Sequence, residues 1–137
     1  MFMSNKYAFL SNFYPCRVEY NGLIFDSTEA AFQAQKEIHE ESKRKYCNVP
    51  PNVAKSLGRR ARLRPDWECI KDQIMYEVVK AKFIQNEDFA DLLLKVSEPI
   101  VEDNTWGDTY WGRCNGIGKN KLGNILERVK SEIKEMR

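Results

Sequence analysis

Glu29, Gln33 and Lys36 form the first group of side chains in this sequence that can do chemistry, within the segment "STEAAFQAQKEI". A helix turns ~100° per residue, so Glu29, Gln33, Lys36 and Glu40 fall in one narrow band, with Phe32 beside it. A carboxylate and an ammonium are groups of general acid–base catalysis, and an aromatic next to them can be the wall of a cleft. Blander assignments stand beside this one. Glu29 can be the acid of a capping box behind Asp26, Lys36 a solvated helix cation, and Phe32 a second packing contact. Ala30, Ala31, Ala34 and Ile38 make the opposite, core-facing side.

The second candidate is the stretch "GDTYWGRCNGIGKNKLGN", Gly107 to Asn124, with Trp106 in front of it. Residues 103–119 show little periodicity, and connections beyond ~12–15 residues in compact domains are often functional. Trp106, Tyr110 and Trp111 are costly to leave in water, so the loop is expected to pack. Its glycines, among them Gly112 and Gly118, permit turns that other residues resist. The "GKN" at its end leads into a helix, and a helix N-terminus attracts anions such as phosphate. The alternative is a packed surface loop with Asn120 as an ordinary cap. Neither a P-loop nor a dinucleotide-binding fingerprint is present.

The cysteines, Cys16, Cys47, Cys69 and Cys114, form no CxxC pair, and His39 is the single histidine. Structural zinc wants closely spaced ligand pairs, so no metal is expected, and no other cofactor. A thiolate nucleophile with His39 as base has no further support, and idle thiols in a reducing compartment fit better. The 22 Lys and Arg against 20 Asp and Glu leave a net charge of +2. That is too little to imply nucleic-acid binding by bulk charge. Without an apolar run near ~20 residues or a secretory signal pattern, a soluble cytoplasmic protein is expected.

These side chains must be held by one domain of mainly α (α+β) class, a helical body with a small N-terminal β-hairpin, over residues 1–137. "CRVEYNGLIF" predicts the hairpin around Asn21-Gly22. A helix is expected from about Ser27 to Lys45, capped by Asp26, and a short one from Val53 to Arg60. Pro65 opens a longer helix with Trp67, Ile70, Ile74 and Val78 on its stripe, widened by Met75, Val79 and Phe83. "EDFADLLLKV" reads as a helix and "EPIVE" as a short strand. The last helix places Leu122, Ile125, Leu126, Val129 and Ile133 on one face.

The block "FLSNFYPCRVEYNGLIFDSTEAAFQAQK" resembles the opening of the NADAR family, also called YbiA-like. The matching residues are Phe9, Ser11-Asn12-Phe13, Pro15, Gly22, and Glu29 with Phe32, Gln33 and Lys36. "LRPDWE", Ile74-Met75 and "KFIQN" are similar to the family's middle, and "IVE", "DTYWG" and "GKNKLGNIL" to its close. The resemblance runs from Phe9 to about Arg128; Leu126-Glu127 depart from it, and residues 38–51 match nothing in it.

That resemblance implies an N-glycosidase and a nucleotide-like substrate. Either phosphoribosylamino-pyrimidines of riboflavin synthesis or ADP-ribosyl-guanine, free or within nucleic acid, would fit. It further implies that Glu29, Asp108 and Lys36 do the chemistry, with the acid and base roles undivided among them. Asn12 and Phe13 would line the substrate site with Phe32 and Gln33; Trp67 and Trp111 would sandwich the base, Trp67 being equally a core residue. Arg64, Gly118 and Asn120 would receive phosphate, with Glu102 behind them. A rival is a non-catalytic module that binds ADP-ribose and tolerates loss of Glu29. The basic runs "KRK" and "RRARLR" favour a polyphosphate or nucleic-acid substrate if they flank the pocket, and are solvated faces otherwise. The oligomeric state is not legible.

Overall fold

The computed structural model describes residues 1–137. The chain forms two units, Asn12–Asn86, and Met1–Ser11 with Glu87–Arg137. The class is mainly α as expected, with six α-helices and a small antiparallel hairpin near the N-terminus.

In the Asn12–Asn86 unit, β1 (Val18–Tyr20) and β2 (Leu23–Phe25) pair with Val18 opposite Phe25. Asn21 and Gly22 take φ of 50° and 83°, the left-handed pair that a tight two-residue hairpin needs. Val18 and Phe25 are buried. The four helices here are α1 (Thr28–Ala34), α2 (Glu40–Lys43), α3 (Pro51–Arg60) and α4 (Trp67–Gln85). The hairpin is tied to α4 where Gln85 Nε2 donates to the Glu19 carbonyl at 2.9 Å and its Oε1 accepts from the Glu19 N–H at 2.7 Å.

The single helix expected from Ser27 to Lys45 is broken. α1 ends at Ala34 with Gln35 as its C-cap, and helix resumes only at Glu40, followed by a 3₁₀ turn at Arg44–Tyr46. The reason is tertiary. Tyr46 is 1% exposed and its hydroxyl donates to Glu37 at 2.8 Å, nine residues back. A straight helix would set them ~13 Å apart, so folding the chain back wins. The cap also differs: Ser27, not Asp26, accepts from the Ala30 N–H, at 3.1 Å. Ile38, expected in the core, is 59% exposed.

α1 is the centre of this unit. Every residue from Thr28 to Ala34 is buried, because the helix packs against α3, α4 and the hairpin. α3 approaches α1 at Gly58, where a Cβ would collide with the Gln33 side-chain amide. α4 buries Trp67, Ile74, Met75, Val78, Val79 and Phe83, close to the expected stripe.

In the other unit, α5 (Glu87–Leu94) packs on α6 (Lys121–Met136), which buries Leu122, Leu126, Val129 and Ile133. "EPIVE" is not a strand. Instead β3 (Asp103–Asn104) pairs in parallel with β4 (Arg113–Cys114) inside the long loop. No helix is long and apolar enough to cross a membrane.

Candidate active site

Glu29 is the second residue of α1, and its backbone N–H donates to the Asn12 carbonyl at 3.0 Å. Thr28 Oγ1 donates to Asn12 Oδ1 at 2.9 Å, and Asn12 Nδ2 lies 3.4 Å from Met75 Sδ. Asn12 is therefore buried and holds the first turn of α1 in place. With Ser27 as cap, Glu29 is not in the capping-box position. Its carboxylate instead accepts from Gln33 Nε2 at 2.7 Å, one turn on, and the residue is only 8% exposed.

Phe32 and Trp67, each 5% exposed, pack with ring centroids 5.1 Å apart and planes inclined at 56°. Lys36 Nζ stands 5.9 Å from the Trp67 ring centre, a cation–π distance. Trp67 is thus a core residue whose ring also faces the Lys36 ammonium. Burial lowers the Lys36 pKa; the Glu29 carboxylate opposes that shift, and Arg59, Lys55 and Lys71 add to it. Lys55 also lies 5.7 Å from the ring centre of the exposed Phe13. Lys71 is itself paired with Glu68 at 2.5 Å, so Lys36, Lys55 and Arg59 are the cations set against one buried carboxylate, a field that an anionic ligand would neutralise.

Arg64 is bound nearby through its backbone N–H to the Lys36 carbonyl, at 3.1 Å. Its guanidinium is a fork onto Asp66, at 2.6 and 3.2 Å, which holds the Asp66 carboxyl below its usual range. Asn12, Phe13, Glu29, Phe32, Gln33, Lys36, Arg64 and Trp67 all belong to this one unit. Lys55 and Lys71 escaped the sequence reading, and Arg59 entered it only as the first residue of the basic run "RRARLR". The signal was there: Lys55 and Arg59 sit four apart on α3 astride Gly58, and Lys71 follows Trp67 by one turn.

Glu102, Asp108, Trp111, Gly118 and Asn120 belong to the other unit. Asp108 Oδ1 accepts from the N–H groups of Tyr110 and Trp111, each at 3.0 Å. Asn104 brackets the same residue, donating to its carbonyl at 2.8 Å and accepting from its N–H at 3.0 Å. The Tyr110 and Trp111 rings meet edge-on, centroids 4.8 Å apart. The loop packs through these residues, but Trp106 is 57% exposed, against expectation.

At the start of α6 the loop engages two backbone donors. The N–H groups of Lys121 and Leu122 donate to the Tyr110 and Trp111 carbonyls at 3.2 and 2.9 Å. Asn120 is not a side-chain cap. At φ 53° it accepts from the Glu102 N–H and donates to the Ile100 carbonyl, each at 3.0 Å. Gly118 takes φ 148°, and a Cβ there would collide with the Gly112 carbonyl. These contacts set the loop's shape.

A family model described as the NADAR domain matches residues 1–134. The N-glycosidase YbiA of Escherichia coli (strain K12) is 34% identical over 134 residues, covering 95% of this chain and 84% of that protein. An N-glycosidase of Nostoc punctiforme is 32% identical over 137 residues, covering 95% of this chain and 88% of that protein. A riboflavin biosynthesis protein of Vibrio vulnificus is 33% identical over 134 residues, 95% of this chain but 36% of its own length. The NMR structure of E. coli YbiA superposes with a TM-score of 0.85 at 33% identity, over 97% of this chain and 82% of that one. The buried Glu29, the Gln33 that holds it and the Lys36 beside it are thus set in a chain that belongs to the NADAR family.

Proposed function

We propose that this hydrolase of N-glycosyl bonds acts on a phosphorylated ribose, phosphoribosyl or ADP-ribosyl, linked to a nitrogenous base-like group. The coarse activity is the one its relatives are named for. The observation that carries the finer reading is the pairing of a buried carboxylate with a cationic surround: Glu29 held by Gln33, with Lys36, Lys55, Arg59 and Lys71 in electrostatic reach.

Cleavage breaks the bond between ribose C1′ and nitrogen, with the electron pair leaving on nitrogen. The sugar becomes cationic, and a carboxylate stabilises such a state or takes the proton of the attacking water. Glu29 has that role. The water oxygen bonds to C1′, its proton passes to Glu29, and the leaving nitrogen takes a proton from Lys36. Burial lowers the Lys36 pKa, which makes its ammonium a better acid than a solvated one. The surplus of positive charge holds the substrate phosphate. Asp108, with Oδ1 bound to two backbone N–H groups, organises its loop.

The test is direct incubation with a phosphoribosylamino-pyrimidine and with ADP-ribosyl-guanosine, measuring free ribose 5-phosphate and free ADP-ribose. Release from at least one is expected. Binding of both without release from either would replace the enzyme with a non-catalytic ADP-ribose module.

A further inference from the structure

The two basic runs of the sequence meet at a place the reaction does not use. A cavity of about 230 Å³ in the Asn12–Asn86 unit is lined by Glu37, Lys45, Tyr46, Leu57, Arg60, Ala61 and Arg62. Lys45 comes from "KRK", and Arg60 and Arg62 from "RRARLR". None of these three cations has a carboxylate partner, whereas Arg44, Arg64 and Lys71 pair with Glu40, Asp66 and Glu68. The single lining carboxylate, Glu37, accepts from the Tyr46 hydroxyl at 2.8 Å. Burial, with Glu37 next, pushes the Tyr46 pKa up, so the hydroxyl remains a donor and keeps that carboxylate occupied.

The cavity is distinct from the Glu29 site. The two share no lining residue, and consecutive arginines serve different places: Arg59 acts on Lys36, Arg60 on Tyr46. Its volume of about 230 Å³ far exceeds the ~30 Å³ share of one water. Three cations against one carboxylate leave a local charge of +2. A phosphate monoester, with about −1.5 to −2 at neutral pH, matches that charge, and two guanidinium forks match its geometry. Leu57 and Ala61 give the lining an apolar part, which suits an organic phosphate better than the bare ion.

We propose that the cavity formed by Lys45, Tyr46, Arg60 and Arg62 is a second binding site, for a small phosphate monoester of sugar-phosphate size. It stands independently of the catalytic reading. The probe is ribose 5-phosphate, titrated into the full-length ¹⁵N-labelled protein while amide resonances are followed. Ribose and a single-stranded oligonucleotide are run beside it. Saturable shifts at residues 45, 46 and 60–62 are expected with ribose 5-phosphate and not with ribose. The Arg60→Ala/Arg62→Ala variant, changed at exposed positions, is expected to keep its spectrum and weaken that response at least tenfold. Absence of saturable shifts there, an unchanged response in the double variant, shifts confined to residues 29–36, or a response to oligonucleotide alone would each overturn the proposal.

Discussion

Gly58→Ala tests how closely the site depends on packing between α1 and α3. Alone in a helix, the change gains about 0.8–1 kcal/mol of propensity. Here the new Cβ would collide with Gln33 Oε1 and lie 2.7 Å from its Cδ, so the buried amide must move. Overpacking of this kind costs about 1–3 kcal/mol. Moving the amide also breaks the 2.7 Å bond from Gln33 Nε2 to the Glu29 carboxylate, and a hydrogen bond to a charged group is worth about 1.5–3 kcal/mol. Gln33 Oε1 is already buried without a hydrogen-bond partner, so no existing bond guides the amide to a new position. The net expectation is a loss of about 3 kcal/mol, with turnover reduced because Glu29 loses its orienting donor. Urea unfolding with a parallel rate measurement reads both. A variant that is stabilised by about 1 kcal/mol and turns over normally would show that Gln33 swings aside freely and positions nothing.

Three other outcomes are expected. Because burial lowers the Lys36 pKa, kcat/KM should fall as pH rises through a value below the ordinary lysine ~10.4; Lys36→Arg should move that limb to higher pH, and an unmoved limb would remove Lys36 from proton transfer. Lys82 is 1% exposed and burial pushes its pKa down to about 8, Cys16 opposing. Between about 8 and ~10.4 the unfolded chain binds the extra proton, so this residue makes stability rise with pH across that window. Lys82→Met should therefore be more stable than wild type at pH 7, by about 3 kcal/mol at most, and the gap should close by pH ~10.4; a gap independent of pH in denaturant titrations would contradict this. Asp108→Ala strips the acceptor from the Tyr110 and Trp111 N–H groups and should cost about 1–3 kcal/mol, with faster amide exchange at both. Asp108→Asn, which keeps an acceptor oxygen, should recover most of that protection.

The hairpin, α4 and α6 were legible because each is declared by local physics: a left-handed Asn21-Gly22 turn, and apolar residues at helical spacing. The break after Gln35 was not, since it is driven by burial of Tyr46 against Glu37, which no local propensity records. The group of Glu29, Gln33, Phe32 and Lys36 was visible as one helix band. Glu29 and Gln33 turned out buried and Lys36 half-buried, because α3, α4 and the hairpin pack around α1. The spacing of Lys55 and Arg59 puts them on one side of α3, but that this side meets α1 depends on Gly58 lying against Gln33, which spacing does not record. The bonds from the Tyr110 and Trp111 N–H groups to Asp108 were not legible, because backbone partners leave no mark in the choice of side chains.

The role of Glu29 is tested most directly by the single-turnover rate of Glu29→Gln on whichever N-glycoside the wild type cleaves, with ligand affinity measured alongside. Glutamine keeps the volume of the buried side chain and removes the charge. If Glu29 serves the attacking water, the rate should be about 10²–10⁴-fold lower, with the substrate still bound. Unchanged cleavage by that variant would mean the reaction is driven from elsewhere in the molecule.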